Sequence, residues 1–226
     1  MTHLALLAVV ELYTTTHKIL IGYGTGRCGT MSLAKFLNQQ GLGITHEGVP
    51  LGWYPALSDS LGTIRNLFER QGDIIGDIGF YWINYINLIL REYPGAKAIN
   101  IWRNDDEVIE SFWSYLVDEP AFEWNGYPFD SIHHTKDAIA LTIKRYRYLE
   151  NEVSKLYHGC IFTMNMEELN DEEALNNLVD WIGIKANDLN SVRANSRELI
   201  LNASRKGRPY GRLSEKLWHQ KGFSTE

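Results

Sequence analysis

A strand-like run, a glycine-rich turn and the start of a helix follow one another in the segment Ile19-Leu-Ile-Gly-Tyr-Gly-Thr-Gly-Arg-Cys-Gly-Thr-Met-Ser-Leu33. In such a turn, glycines allow backbone N–H groups to converge on an anion, and the N-terminus of the following helix adds a favourable dipole. Glycines also serve turns that are purely structural. The segment therefore predicts either a phosphate- or sulfate-binding loop or a structural turn.

The turn differs from the loop that binds nucleoside triphosphates. That loop has the pattern G-x-x-x-x-G-K-[ST], and its lysine contacts the β- and γ-phosphates. Gly24 and Gly29 have the required spacing, but Thr30 and Met31 follow and the lysine is absent. Arg27 lies inside the turn instead, where its forked guanidinium suits a tetrahedral oxyanion. The candidate anion-binding residues of this loop are Gly26, Arg27, Cys28, Gly29, Thr30, Met31 and Ser32.

Composition is that of an ordinary globular protein. The 226 residues suffice for one domain with a substantial core, and 44% of them are hydrophobic. A net charge of −6 argues against nucleic acid or an anionic membrane as a partner, although a local basic pocket is compatible with it. Because two cysteines cannot form a disulfide framework, we expect free thiols and a cytoplasmic location.

Residues 1–17 are expected to be a leader or an extra element, followed by a single domain at 18–226. The apolar run near the N-terminus lacks the basic flank of a signal peptide and is too short to span a bilayer. We therefore expect no transmembrane segment.

Strand-like and helix-like segments alternate along the predicted domain. This alternation predicts an α/β fold with a mostly parallel central sheet, in which ligands bind beyond the carboxyl ends of the strands. Residues 118–135 have no clear period and predict a long loop. Strands are expected at Lys18–Tyr23, Gly43–Glu47, Asp73–Ile78, Ala96–Trp102 and Cys160–Met164, and helices at Thr30–Gln40, Leu61–Arg70, Tyr81–Glu92, Asp105–Leu116, Lys136–Tyr157 and Asp171–Ile182.

A second polar group follows the predicted strand at 96–102. Arg103 stands at the end of this strand, and Ser111 lies two helical turns further on. The two side chains can reach one ligand. Alternatively, Arg103 pairs with an acidic neighbour and Ser111 faces solvent, since both arrangements are common on protein surfaces.

Together these motifs resemble the sulfotransferase superfamily, whose members transfer a sulfuryl group from 3′-phosphoadenosine 5′-phosphosulfate (PAPS). The segment from Gly26 to Leu33 resembles the loop that binds the 5′-phosphosulfate, and the segment from Tyr93 to Trp113 resembles the motif in which Arg103 and Ser111 would bind the 3′-phosphate. The resemblance, which extends to Gly183, implies a three-layer fold like that of P-loop nucleotide hydrolases. It also implies PAPS as donor, 3′-phosphoadenosine 5′-phosphate (PAP) as product, and no metal.

The likeness is closer to the bacterial and carbohydrate- or tyrosine-sulfating branches than to the hormone- and phenol-sulfating branch. Met166 stands about where many cytosolic members have an adenine-contacting tyrosine. Arg205-Lys206-Gly207 resembles the C-terminal motif that binds the 3′-phosphate, and the alternative is a solvated basic turn.

Three residues are candidates for the catalytic base that takes the acceptor's proton. The resemblance implies a glutamate about twenty residues after the loop's basic residue, and His46 and Glu47 stand there. Strand alternation would place them on opposite faces, and we favour Glu47 narrowly. Asp77, at the end of the third predicted strand, is the third candidate. Each could instead make only structural hydrogen bonds.

The acceptor implied by the resemblance is the hydroxyl or amine of a small molecule, glycan or lipid, with residues 118–135 on the acceptor side. Two other functions remain open from the sequence. One is a small-molecule kinase, which would need the missing lysine and a Mg²⁺ site. The other is a nucleotide-binding protein of the same fold without turnover.

Overall fold

The computed structural model describes residues 18–48, 64, 66, 67, 73–118 and 135–185, without the side chains of 115–118. Residues 1–17, Arg205–Gly207 and nearly all of the predicted loop at 118–135 lie outside this part. The strands are β1 (Lys18–Tyr23), β2 (Gly43–His46), β3 (Ile74–Ile78), β4 (Lys97–Trp102) and β5 (Ile161–Asn165). The helices are α1 (Thr30–Gln39), α2 (Ile86–Glu92), α3 (Asp105–Asp118), α4 (Lys136–Tyr157) and α5 (Glu172–Ile182), with short 3-10 helices at Phe80–Asn84, His158–Cys160 and Met166–Asn170.

The five described strands form one parallel sheet in the order β2-β3-β1-β4-β5. Helices flank the sheet, so the predicted α/β fold with a parallel sheet is confirmed. Because the strands are parallel, the carboxyl ends of all five lie along one edge. The glycine-rich turn, Glu47, Asp77 and Arg103 all lie at or near this edge.

Burial follows the sequence pattern that predicted the elements. Every residue of β1 after Lys18 is buried, as expected for the central strand of a sheet covered on both faces. In α1 the predicted stripe of Leu33, Phe36 and Leu37 is fully buried. Gly41, with φ 85°, follows the end of α1 as the sequence predicts.

The segment after β3 differs from the single helix predicted over Tyr81–Glu92. A 3-10 helix at Phe80–Asn84 comes first, and α2 begins only at Ile86. Tyr81 and Trp82 donate side-chain hydrogen bonds back to Asp77 at the end of β3. These bonds hold the first turn against the sheet, and hydrophobic spacing alone does not reveal them.

Gly76 in β3 packs directly against the backbone of Leu20 in β1, and no larger residue fits there. A Cβ added at Gly76 would lie 1.7 Å from the carbonyl oxygen of Leu20, whereas one added at Gly43, also in a strand, would meet nothing closer than 3.6 Å. We expect Gly76→Ala to lower the free energy of unfolding by about 3 kcal/mol or more, because the clash is with backbone. Gly43→Ala should change it by less than about 1 kcal/mol. Urea denaturation measures both, and equal midpoints would contradict the packing described.

Candidate active site

The glycine-rich turn between β1 and α1 is held in an unusual backbone conformation. Gly26, Arg27 and Gly29 have φ values of 75°, 54° and 96°. A Cβ at Gly24 would lie 2.4 Å from the carbonyl oxygen of Ile101 in β4, so glycine lets the turn pass close to the neighbouring strand. Gly29 offers no side chain to cap α1, and the first turn of α1 has no acidic residue. The N-terminal N–H groups of α1 thus favour an anion.

Two side chains in the turn make internal contacts. The hydroxyl of Thr25 donates to the carbonyl of Gly26 at 3.0 Å. Cys28 is fully buried, and burial, followed by the negative charge of Glu150, raises the pKa of its thiol to about 11. The thiol is therefore neutral near pH 7 and packs beneath the turn, so only the backbone of Cys28 suits an anion.

The turn and the Arg103 motif, which lie far apart in the sequence, meet at this edge of the sheet. Nε of Arg27 donates to Oγ of Ser111 at 3.1 Å, and Nη1 of Arg103 donates to the carbonyl oxygen of Arg27 at 3.1 Å. The structure therefore brings Arg27, Arg103 and Ser111 into one group with two guanidinium ions. Arg103 also forms an ion pair with Glu107 at 2.8 Å. The acidic partner that the sequence offered as an alternative role for Arg103 is therefore present as well.

Thr30 and His46 connect the start of α1 to the end of β2. Nε2 of His46 and Oγ1 of Thr30 lie 3.1 Å apart and share a hydrogen bond. Burial lowers the pKa of His46, and the charge of Asp77 opposes this effect. The imidazole is thus mostly neutral near pH 7.

Glu47 does not continue the strand, contrary to the predicted span Gly43–Glu47. β2 ends at His46, and Glu47 has a left-handed φ of 48° while its N–H donates to the carbonyl of Ile78 at 2.9 Å. Strand alternation therefore does not decide its direction. Desolvation of the carboxylate by surrounding protein atoms, followed by the negative charge of Asp77, raises the pKa of Glu47 to about 7. Because the residue is also exposed, water screens part of this effect.

Asp77, the third candidate, is fully buried and accepts hydrogen bonds from four donors. Oδ1 accepts from the hydroxyl of Thr45 at 2.5 Å and from the N–H of Gly48 at 2.9 Å. Oδ2 accepts from the hydroxyl of Tyr81 at 2.6 Å and from Nε1 of Trp82 at 2.8 Å. Residues 45–48 form a turn around Glu47, which we call the Glu47 turn. Asp77 hydrogen-bonds both of its ends, Thr45 and Gly48, and so holds the turn against the end of β3.

Arg147 in α4 contacts the Arg103 turn, and sequence reasoning missed it. Its guanidinium contacts the turn after β4, including the carbonyl oxygen of Arg103 at 2.7 Å. The two residues are 44 positions apart, and Arg147 belongs neither to the glycine-rich turn nor to the segment from Tyr93 to Trp113. Only the packing of α4 against α3 brings them together.

Met166 packs against the glycine-rich turn. A Cβ at Gly29 would lie 2.7 Å from Cγ of Met166, so this side chain covers the start of α1. Within the described ranges, no group of three or more His, Cys, Asp and Glu side chains is placed to hold a metal ion. Of the described helices, none is both long enough and apolar enough to cross a bilayer.

Comparisons with known proteins identify the fold. No family model and no curated protein sequence matches the chain. Solved structures do match. A sulfotransferase from Alicyclobacillus acidocaldarius is 14% identical with a TM-score of 0.59, covering 84% of this chain and 92% of that one. Mouse sulfotransferase SULT7A1, complexed with PAP, is 19% identical with a TM-score of 0.53, covering 83% of this chain and 67% of that one. The chain therefore has the fold of the sulfotransferases, as the sequence resemblance implied.

Proposed function

We propose that the protein is a sulfotransferase that moves a sulfuryl group from PAPS to an acceptor hydroxyl or amine. One observation carries the proposal: Arg27 of the glycine-rich turn contacts both Ser111 and Arg103, because its Nε donates to the Ser111 hydroxyl and its carbonyl oxygen accepts from Arg103. A donor with a 5′-phosphosulfate and a separate 3′-phosphate needs two neighbouring cationic sites. The fold shared with sulfotransferases supports the same function.

Each end of the donor is assigned to one part of the group. Arg27, the backbone of residues 26–29 and the N-terminus of α1 with Thr30, Met31 and Ser32 would bind the 5′-phosphosulfate. Arg103 and Ser111 would bind the 3′-phosphate. Arg205-Lys206-Gly207, outside the described residues, stays a proposed addition to the 3′-phosphate site.

Glu47 is the base that we propose. In the reaction the acceptor oxygen forms a bond to sulfur, the bond from sulfur to the bridging phosphate oxygen breaks, and PAP leaves with the electron pair. The carboxylate of Glu47 takes the acceptor proton. It makes no side-chain hydrogen bond to any residue that the structure describes, and its raised pKa suits proton transfer near neutral pH.

The other two candidates receive supporting roles in this proposal. Both oxygens of Asp77 are already occupied by donors, so it positions the Glu47 turn and does not take a proton. Neutral His46, bound to Thr30, would orient the acceptor or a sulfuryl oxygen. Arg27 and the N–H groups of the turn would stabilise the charge that develops on the leaving phosphate.

The acceptor is proposed to be a small molecule, glycan or lipid, with no nucleic-acid partner and no metal in the reaction. The compartment is proposed to be cytoplasmic, which agrees with the free thiols of Cys28 and Cys160. The second function, a kinase, receives no support from the turn, because the lysine that a triphosphate loop needs is absent.

Calorimetry with two nucleotides tests the proposal. We expect PAP to bind and ATP with Mg²⁺ to bind much more weakly, because only PAP has a 3′-phosphate for Arg103. The reverse order would overturn the sulfotransferase assignment and favour the kinase. A screen of acceptors with radiolabelled PAPS would then identify the class of acceptor.

A further inference from the structure

Arg147 donates hydrogen bonds from three different nitrogens to the start of α3, to its own helix α4 and to the turn after β4. Nε donates to Oδ1 of Asp105 at 2.8 Å, at the start of α3. Nη1 donates to Oε2 of Glu150 at 2.7 Å, within α4, and Nη2 donates to the carbonyl oxygen of Arg103 at 2.7 Å. The guanidinium also lies over the ring of Trp102, with 5.4 Å to its centroid.

Two of these hydrogen bonds and the ring contact involve the turn between β4 and α3. Trp102 ends β4, Arg103 follows it, and Asp105 begins α3. Arg147 thus contacts the Trp102 ring, the Arg103 backbone and the Asp105 carboxylate. The guanidinium of Arg103 donates from Nη1 to the carbonyl oxygen of Arg27. Arg103 therefore contacts Arg147 through its carbonyl oxygen and the glycine-rich turn through its guanidinium.

The surroundings of Arg147 restrict its motion. Its side chain is only 16% exposed, and that of its partner Glu150 is 6% exposed. Burial raises the pKa of Glu150 to about 7, and the charge of Arg147 opposes this shift. A planar guanidinium can donate in three directions at once, whereas a lysine ammonium on a flexible stem does not reproduce this geometry.

We propose that Arg147 is a positioning residue for the 3′-phosphate site, because it fixes the backbone at Arg103 so that the Arg103 guanidinium stays beside Arg27. This inference rests on the proposed function, since it assigns a role within the same site. Arg147 touches neither phosphate; it acts through Arg103.

The test compares two ligands that differ only in the 3′-phosphate: PAP and adenosine 5′-phosphate. We expect Arg147→Lys to weaken PAP binding about tenfold, the loss that follows from one misplaced charge-assisted contact. Binding of adenosine 5′-phosphate should stay within about twofold of the unmodified protein, because this ligand makes no contact with Arg103. Arg145→Lys is the matched control, since Arg145 lies on the same helix and is exposed.

A second variant and a double variant complete the experiment. Asp105→Asn removes the negative charge of one of the three partners of Arg147 but keeps an acceptor oxygen, so it should reduce PAP affinity in the same selective way, but less. In the Arg103→Ala background, Arg147→Lys should cause no further loss of PAP affinity, because its effect passes through Arg103. A purely structural role would instead weaken both ligands in parallel and add to the loss caused by Arg103→Ala.

The outcomes separate this inference from the proposed function. If the unmodified protein binds PAP no better than adenosine 5′-phosphate, the proposed 3′-phosphate site itself is wrong. If the unmodified protein prefers PAP and Arg147→Lys leaves that preference intact, the role of Arg147 is overturned while the proposed function stands.

Discussion

Replacing Glu47 with glutamine is expected to lower kcat by about 10²- to 10⁴-fold, the usual contribution of a positioned general base. Glutamine keeps the size of the side chain but cannot accept a proton from the acceptor. PAP affinity should not change, because the carboxylate is assigned to the acceptor and not to the donor. Glu92→Gln is the matched control, since Glu92 lies in the exposed ion pair with Arg91.

The pH profile provides an independent measure of the same role. A base must be deprotonated to act, so kcat/KM should rise with pH through the pKa of Glu47 and level off above it. That pKa is raised from an ordinary 4.5 to about 7, so the rise should be centred above the ordinary value. The rise should be absent in Glu47→Gln. The measurement is the initial rate with saturating PAPS between pH 5 and 9, roughly the range in which such groups titrate.

His46 is the competing base, and it predicts a different result. Its pKa is lowered from 6.5 by burial, so a base at this position would be deprotonated throughout the neutral range. If Glu47→Gln retains activity while His46→Asn loses it, the assignment to Glu47 is wrong. If both variants lose activity but only Glu47→Gln flattens the pH profile, His46 has the orienting role.

Local sequence patterns predict much of this fold because each depends on one element at a time. The apolar run at Lys18–Tyr23 and the long amphipathic stretch at Lys136–Tyr157 have the bounds expected from the sequence. Their burial follows directly from spacing. The glycine-rich turn was also predictable, since glycine is the residue that tolerates the positive φ found at Gly26 and Gly29.

Contacts between distant residues were beyond such patterns. Arg27 stands 84 positions from Ser111, and nothing in the spacing indicates that its Nε reaches that hydroxyl. The sequence pattern predicts a strand that includes Glu47, whereas Asp77 accepts hydrogen bonds from both Thr45 and Gly48 and the chain turns between them. Residue type and family resemblance therefore predict which residues are candidates for the site. Only the packed structure shows which of them are in contact.

The pair of Arg103 with Glu107 illustrates why one contact should not be taken as the role of a residue. The pair is an i,i+4 contact, and the Glu107 side chain is 52% exposed, so it contributes little to stability. The second contact of Arg103, with the carbonyl of Arg27, has no such local explanation. It directs the guanidinium toward the turn that would hold the other end of the donor.

Replacing Arg103 with alanine is therefore expected to weaken PAP binding by about 2–4 kcal/mol, since a charge-assisted contact is lost and the 3′-phosphate is left without its cation. Calorimetry measures the change directly. Glu107→Gln is the matched variant, because it removes the ion pair but keeps the guanidinium and should not reduce PAP affinity. Arg91→Ala, at an exposed ion pair outside the site, controls for a general loss of positive charge. Adenosine 5′-phosphate should bind Arg103→Ala and the unmodified protein equally. An unchanged PAP affinity in Arg103→Ala would remove Arg103 from the donor site, and with it the reason for proposing a donor that carries a 3′-phosphate.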